Sequence, residues 1–313
     1  MSKKTTNTTT ATTNTKANSK ETKTPAVYGF ATEDIIKLIE TDKLLPWKKT
    51  WSTEGMAHSV KSNRTYNMLN QMMLGKSGAW GSFKTWSDLG YKVKKGEKAS
   101  RVYEWFYSVP EKAKKSEDDK DSDKPEFKRG YLKYYPVFHE SQVETEDGKP
   151  YKAKKTKKSK VNPIESAEKF VADYKKISKI KGIVANKTSN DAYYDPKADK
   201  IVSPKLDQYK TANDFYSTLF HEIIHSTGHK SRLDRGFEKS VAFGSEDYSR
   251  EELVAELGSA IVCARLGIDN AKTVKDSAKY CKGWIKALRG DTSLLISASS
   301  YAEKAVKYAF GEC

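Results

Sequence analysis

Phe215-Tyr-Ser-Thr-Leu-Phe220-His221-Glu222-Ile223-Ile224-His225-Ser226-Thr227-Gly228 is the stretch that decides how this chain is read. Phe215, Leu219 and Ile223 recur at helical spacing, Thr211, Asn213 and Asp214 offer capping groups ahead of them, and Gly228 suits the far end. On such a helix His221 and His225, four apart, project from one face about one turn from each other, as a tetrahedral metal requires. Glu222 sits beside them, able to take a proton from a water polarised by the metal and later to return it. The spacing predicts a metal site with His221 and His225 as ligands and Glu222 as catalytic base.

Two imidazoles leave the coordination incomplete. His229 gives a superficial likeness to the longer pattern HExxHxxGxxH, but Ser231 occupies the position where that pattern has histidine. His229 is therefore expected beyond the helix end, as a structural residue or one that supports a ligand. Downstream, Tyr248-Ser249-Arg250-Glu251-Glu252-Leu-Val-Ala-Glu256 reads as a second helix capped by Ser249, with Glu252 and Glu256 on one face. Glu252 is the expected third ligand, and Glu256 the carboxylate that orients a ligand imidazole. The His₂Glu set suits Zn²⁺, with Mn²⁺ the other divalent candidate.

The chain around this site is 313 residues long, enough for two domains that each bury a core. Its formal net charge of +16 is unevenly placed. Residues 1–160 hold 33 Lys and Arg against 20 Asp and Glu, whereas residues 161–313 hold 24 against 21. The basic half is the footprint of a protein that meets polyanions. The 6 Trp, 18 Tyr and 11 Phe exclude a wholly disordered chain. No apolar run reaches the roughly 18 residues needed to cross a bilayer, and the first residues lack the apolar centre of a signal peptide. Cys263, Cys281 and Cys313 form neither a disulfide framework nor a CxxC pair. The expectation is a cytoplasmic protein without a membrane partner.

Residues 1–26, rich in Thr, Asn, Lys and Ser, read as a disordered tail. A first domain is expected over 27–148, a lysine-rich linker over 149–163, and a second domain over 164–313. In the first, Thr32 is read as the cap of a helix carrying Ile35, Ile36 and Ile39 and stopped by Pro46. Residues 101–107 and 131–138 read as antiparallel strands, with the charged segment 111–126 as a long loop between them. In the second, a helix over 165–177 and short strands at 183–185 and 200–203 precede helices at 213–227, 249–266, 273–288 and 298–310. Both domains are α+β, the second mostly helical.

Aromatic and basic residues interleave between residues 47 and 107, which is the composition of a single-strand binder: rings stack on unpaired bases while lysine and arginine neutralise phosphates. Duplex DNA hides its base faces, so rings help less there. Most rings in a domain of this size must be core. The richest settings are Arg64, Tyr66 and Asn67, and Trp86 followed by Lys94, Lys95 and Lys98, where Gly96 allows a tight turn. These seven residues are the expected contacts to single-stranded DNA.

Taken together, the motifs of residues 28–310 resemble the ArdC-type antirestriction proteins of plasmids and other mobile elements. Leu45-Pro46-Trp47 with Trp51, Asn63-Arg-Thr-Tyr66-Asn-Met-Leu-Asn70, Phe83-Lys-Thr-Trp86, Lys95-Gly96-Glu97-Lys98, and Val137-Phe138 with Gln142 resemble that family's first domain. Tyr216 through His229 with Arg232-Leu233, Tyr248 through Glu256, and Trp284 through Leu288 resemble its second. The resemblance implies a single-stranded-DNA-binding domain joined to a zincin-like metallopeptidase domain, in a protein that protects incoming DNA from host restriction. The alternative is a DNA-associated zinc metallopeptidase whose main role is cleaving a protein substrate. The chain departs from the family in its Thr-rich tail, in 111–126, and at Ser226, where the family implies a bulkier aromatic.

Overall fold

The computed structural model describes residues 26–42, 45–48, 56–108, 129–152, 162–186, 191–236, 246–269 and 278–312. The Thr-rich tail, the loop over 111–126 and most of the linker lie outside these residues. Two α+β domains follow each other along the chain, as the residue patterning predicts. The first contains helices α1 (Ala26–Asp42), α2 (Met68–Leu74) and α3 (Phe83–Asp88). Its strands β1 (Ala57–Ser59), β2 (Gly78–Gly81), β4 (Ser100–Ser108) and β5 (Arg129–His139) form one sheet in the order β1-β2-β5-β4. Only β1 and β2 run parallel in it. β3 (Lys92–Val93) and β6 (Val143–Glu144) pair separately. The β4–β5 pairing confirms the expected hairpin, with Val102 opposite Tyr135, Glu104 opposite Lys133 and Phe106 opposite Tyr131.

Helix α2 explains two buried amides. Asn67 caps it by accepting from Asn70 N at 3.0 Å, and Gly75 closes it in the left-handed region at φ 57°. The Asn70 side chain then accepts from Tyr103 N (2.6 Å) and donates to Tyr103 O (2.8 Å), satisfying the open edge of β4. Gln71 does the same for Ala57 in β1, at 2.9 and 2.8 Å.

The second domain begins with α4 (Pro163–Ser178), capped by Asn162, and a three-stranded sheet of β7 (Gly182–Asn186), β9 (Lys200–Pro204) and β8 (Tyr193–Asp195), in that order. Then come α5 (Ala212–Ser226), α6 (Glu246–Leu266), α7 (Ala278–Gly290) and α8 (Leu294–Ala309). Thr211 caps α5 as expected, its Oγ1 accepting from Asp214 N at 3.1 Å. Ser249 lies inside α6, which starts earlier than the capping pattern suggested. Among the described residues no helix is long and apolar enough to cross a membrane.

The domains do not bury separate cores. Ile35, Ile39 and Trp47 of the first lie in one apolar cluster with Leu257, Trp284 and Leu295 of the second. Trp47 and Trp284 meet edge to face at 5.8 Å. Thr32, read from sequence as a helix cap, is instead buried within α1 and donates to Thr292 O at 2.9 Å. Glu303 of α8 accepts from Met68 N at 2.8 Å, at the start of α2. A local capping pattern was overridden by this contact between domains.

Arg232 ties the second domain together. Its side chain is 1 % exposed and pairs with Asp199, whose side chain is 6 % exposed. It also donates to Tyr194 Oη (2.9 Å), Ser226 O (2.7 Å) and Ser178 O (3.3 Å), linking the β8–β9 turn to the ends of α4 and α5. Burial pushes the Asp199 pKa up, but hydrogen bonds from Arg232 and Tyr194 outweigh it and hold the carboxyl below its usual range. A folded-state pKa that is depressed contributes stability above the unfolded value and loses it as pH falls through the folded one. Arg232→Ala should therefore cost about 3–5 kcal/mol in denaturant unfolding, since it strands a buried carboxylate. Wild type should lose stability on acidification below about pH 4 more steeply than Asp199→Asn does.

Candidate functional site

His221, Glu222 and His225 lie in the last two turns of α5, and Glu251 and Glu252 in the second turn of α6. The two helices cross closely because residue 258 is glycine: a Cβ there would stand 2.8 Å from Ile224 Cγ2. This approach brings Glu252 to the imidazoles. His221 Nε2 and His225 Nε2 are 3.0 Å apart. Glu252 Oε2 is 3.6 Å from the first and Glu252 Oε1 3.5 Å from the second. Among the described residues these three form the one group of His, Cys, Asp and Glu able to hold a metal, with all ligand atoms within 4.8 Å of one another.

The donors fit a divalent cation. Tetrahedral bonds of about 2.0–2.1 Å place neighbouring ligand atoms about 3.3 Å apart, and the three separations bracket that value. The tautomer fits as well. His225 Nδ1 lies 3.3 Å from Glu251 Oε1, an ionised carboxylate that can only accept, so Nδ1 carries the proton and Nε2 presents its lone pair to the centre. Burial lowers the His225 pKa, but the Glu251 hydrogen bond and the charges of Glu251, Glu222 and Glu252 prevail and raise it. The surroundings thus favour positive charge at this point. Glu222 is buried, 7 % exposed, and its charge acts on the same imidazole.

Glu251 was not anticipated as part of the site. It is itself held by Arg235, whose Nε donates to Oε2 at 2.9 Å and Nη2 to Oε1 at 2.6 Å. Arg235 also donates to Thr227 Oγ1 (2.7 Å) and Ile224 O (2.9 Å), neutralising the carbonyl end of α5. Burial opposes ionisation of Glu251, but the hydrogen bonds from Arg235 and His225 hold its pKa below the usual range. The orienting role expected of Glu256 is thus filled at His225 by Glu251; Glu256 is buried one turn further along α6. His229 lies past the end of α5 with its Nδ1 on Ser231 Oγ at 2.8 Å, outside the donor set. Ser226 is buried beside an aromatic from another helix: Tyr174 of α4, wholly buried, sets its hydroxyl 2.6 Å from Ser226 Oγ.

The residues expected to contact DNA do not form one surface. Trp86 requires a correction: it is 0 % exposed, its Nε1 donates to Phe138 O at 3.0 Å, and Tyr91 and Tyr151 pack edge-on against it. It is core on one face of the sheet. Tyr66 packs half-buried with Trp80 and Val137 on the opposite face. Asn67 is exposed and serves as the α2 cap, while Lys94 donates to Ser141 O at 2.9 Å. Arg64, Lys95 and Lys98 are exposed, and Gly96 makes the expected turn at φ 89°.

Comparison with known proteins follows this division of the chain. Residues 25–138 match the N-terminal domain of anti-restriction factor ArdC, and residues 167–301 match a zincin-like metallopeptidase family. The uncharacterized protein y4eC of Sinorhizobium fredii is 31% identical over 291 residues, covering 89% of each chain. A DNA primase TraC of Escherichia coli is 33% identical over 298 residues, which are 87% of this chain but only 19% of that protein. Crystal structures of the antirestriction ArdC protein from plasmid R388, Mn(II)-bound and metal-free, superpose with TM-scores of 0.68 and 0.67 at 30% identity. They span 90% of this chain and 96% of theirs.

Removing the support for His225 should weaken metal binding without unfolding the helices. Glu251→Gln and Arg235→Ala should each lower divalent-metal affinity by roughly 10–100-fold in calorimetric titration.

Proposed function

The chain belongs to the ArdC antirestriction family, and from that premise we propose that it binds single-stranded DNA through its first domain and protects incoming mobile-element DNA. The second domain, on this reading, carries a hydrolytic centre for a divalent metal, Zn²⁺ or Mn²⁺. The observation that carries the second half is the meeting of His221, His225 and Glu252 beside a buried Glu222. A cation held by those three side chains supplies Lewis acidity for attack on a carbonyl. The protein's own groups do the rest. Glu251 and Arg235 keep His225 in the tautomer that offers Nε2. Glu222 accepts a proton from the attacking water and delivers it to the departing amine.

The basic charge of the first half and its aromatic content support single-strand binding, and the family relationship supports the protective role. A second reading, a metallopeptidase that uses DNA to reach a protein substrate, draws on Glu222 itself. Burying a carboxylate is costly, and a purely structural metal site has no use for it.

Glu222→Gln separates the two. It leaves the three ligands in place, so metal affinity should persist, while any metal-dependent proteolysis should fall by roughly 10²–10⁴-fold. Protection of transferred DNA in a restricting host should stay at the wild-type level if binding protects, and should be lost with proteolysis if cleavage does. In fluorescence anisotropy the full chain should bind a single-stranded oligonucleotide with steep salt dependence, and unlabelled duplex should compete poorly.

A further inference from the structure

The β4–β5 hairpin carries an aromatic strip that the sequence reading did not isolate. Phe106, Tyr131 and Tyr135 project from the same face of the hairpin, the one opposite Tyr103, Trp105 and Leu132, which are packed into the shared core. Phe106 and Tyr131 stack across the strands with centroids 5.8 Å apart and planes at 27°, and Tyr135 meets Phe106 edge-on at 5.9 Å. Tyr66 extends the strip, packing with Tyr135 on the cluster beneath. Tyr131 is 38% exposed, and the others are half-buried. Each ring thus packs on its neighbours in the strip while part of its surface remains exposed.

Lys133, exposed in the middle of this face, lies 5.3 Å from the Phe106 centroid and 5.2 Å from that of Tyr131. An ammonium over two rings shows that these rings can take a cation or a base in place of a packed side chain. A base can take that position while the ammonium turns to a phosphate. Lys61 and Arg64, also exposed, occupy the turn leading into Tyr66. A duplex covers its base faces with neighbouring pairs, so only an unpaired strand can lay bases on these rings.

We infer that the single-stranded nucleic acid binds along this strip, its bases on Tyr66, Tyr135, Phe106 and Tyr131 and its phosphates met by Lys133 and Arg64. The site deepens the single-strand reading above and rests on it. It replaces the buried Trp86 as the stacking element.

The test uses the full chain and an oligothymidylate containing 5-iodouracil and a terminal fluorophore. Photocrosslinking of wild type, which needs no substitution, should place adducts on Tyr131, Phe106 or Tyr66. The pair Phe106→Leu and Tyr131→Leu keeps the apolar surface but removes the rings, and should raise Kd by roughly 10–100-fold at fixed salt. Lys133→Ala should reduce the salt slope by about one. Phe83→Leu, at an exposed ring outside the strip, should change nothing. If wild type binds but its adducts fall on the Lys94–Lys98 turn or around Phe83, the site is overturned. Unchanged affinity in the Leu pair overturns it too. If wild type does not bind the oligonucleotide at all, the single-strand reading itself fails, and the site with it.

Discussion

The approach of α5 to α6 sets the geometry on which the metal site depends. Gly258 lets the helices come together over Ile224, at a point where a methyl group would be driven into that side chain. At this separation a glutamate on α6 reaches both imidazoles on α5, and its neighbour in sequence reaches the outer nitrogen of one of them. A wider crossing would leave Glu251 and Glu252 as solvated carboxylates. The helices are otherwise packed with Leu219, Ile223, Leu253, Leu257 and Ile261, all buried. Apolar burial thus holds in place a polar constellation that would repel itself without a cation or protons.

Charge balance is handled in two layers. Glu222, Glu251 and Glu252 surround His225, an excess of negative charge in a buried place. Arg235 neutralises Glu251 through two hydrogen bonds and, with Arg232, satisfies carbonyls at the C-terminal end of α5. Both arginines come from the segment just after that helix. It folds back over the helix end, where positive charge is most favourable. Glu252 faces both histidines, and a divalent ion held there would complete the balance.

The two domains share a core, which joins the basic first half of the molecule to the domain that carries His221, His225 and Glu252. α1 and the Pro46–Lys48 turn pack on the helices of the second domain, and α2 meets α8 through the Glu303 contact. The strip on the β4–β5 hairpin lies on the sheet face away from this junction. Its backing face is pinned by Tyr103 and Leu132 in the shared cluster. The rings of the strip are thereby mounted on a strand pair whose other face is buried in the shared core.

Much of this was legible in the residues. The spacing of His221 and His225 on an amphipathic pattern, with Glu222 between them, determined a helix with two imidazoles on one face, because i and i+4 neighbours on a helix do not depend on what packs around it. Alternation and aromatic content likewise located the β4–β5 hairpin. Three things were decided only by the tertiary structure. Glu251 and Glu252 are equally acidic neighbours, and which one reaches Nε2 and which Nδ1 depends on the rotation of α6 against α5. Trp86 and Tyr131 are both large rings in a basic domain, and burial alone separates core from surface. Thr32 carries a good capping side chain, but its hydroxyl goes to Thr292, 260 residues away. Helical periodicity is a local property that sequence encodes directly. The partner of a side chain is a long-range property, settled when apolar burial brings distant segments together.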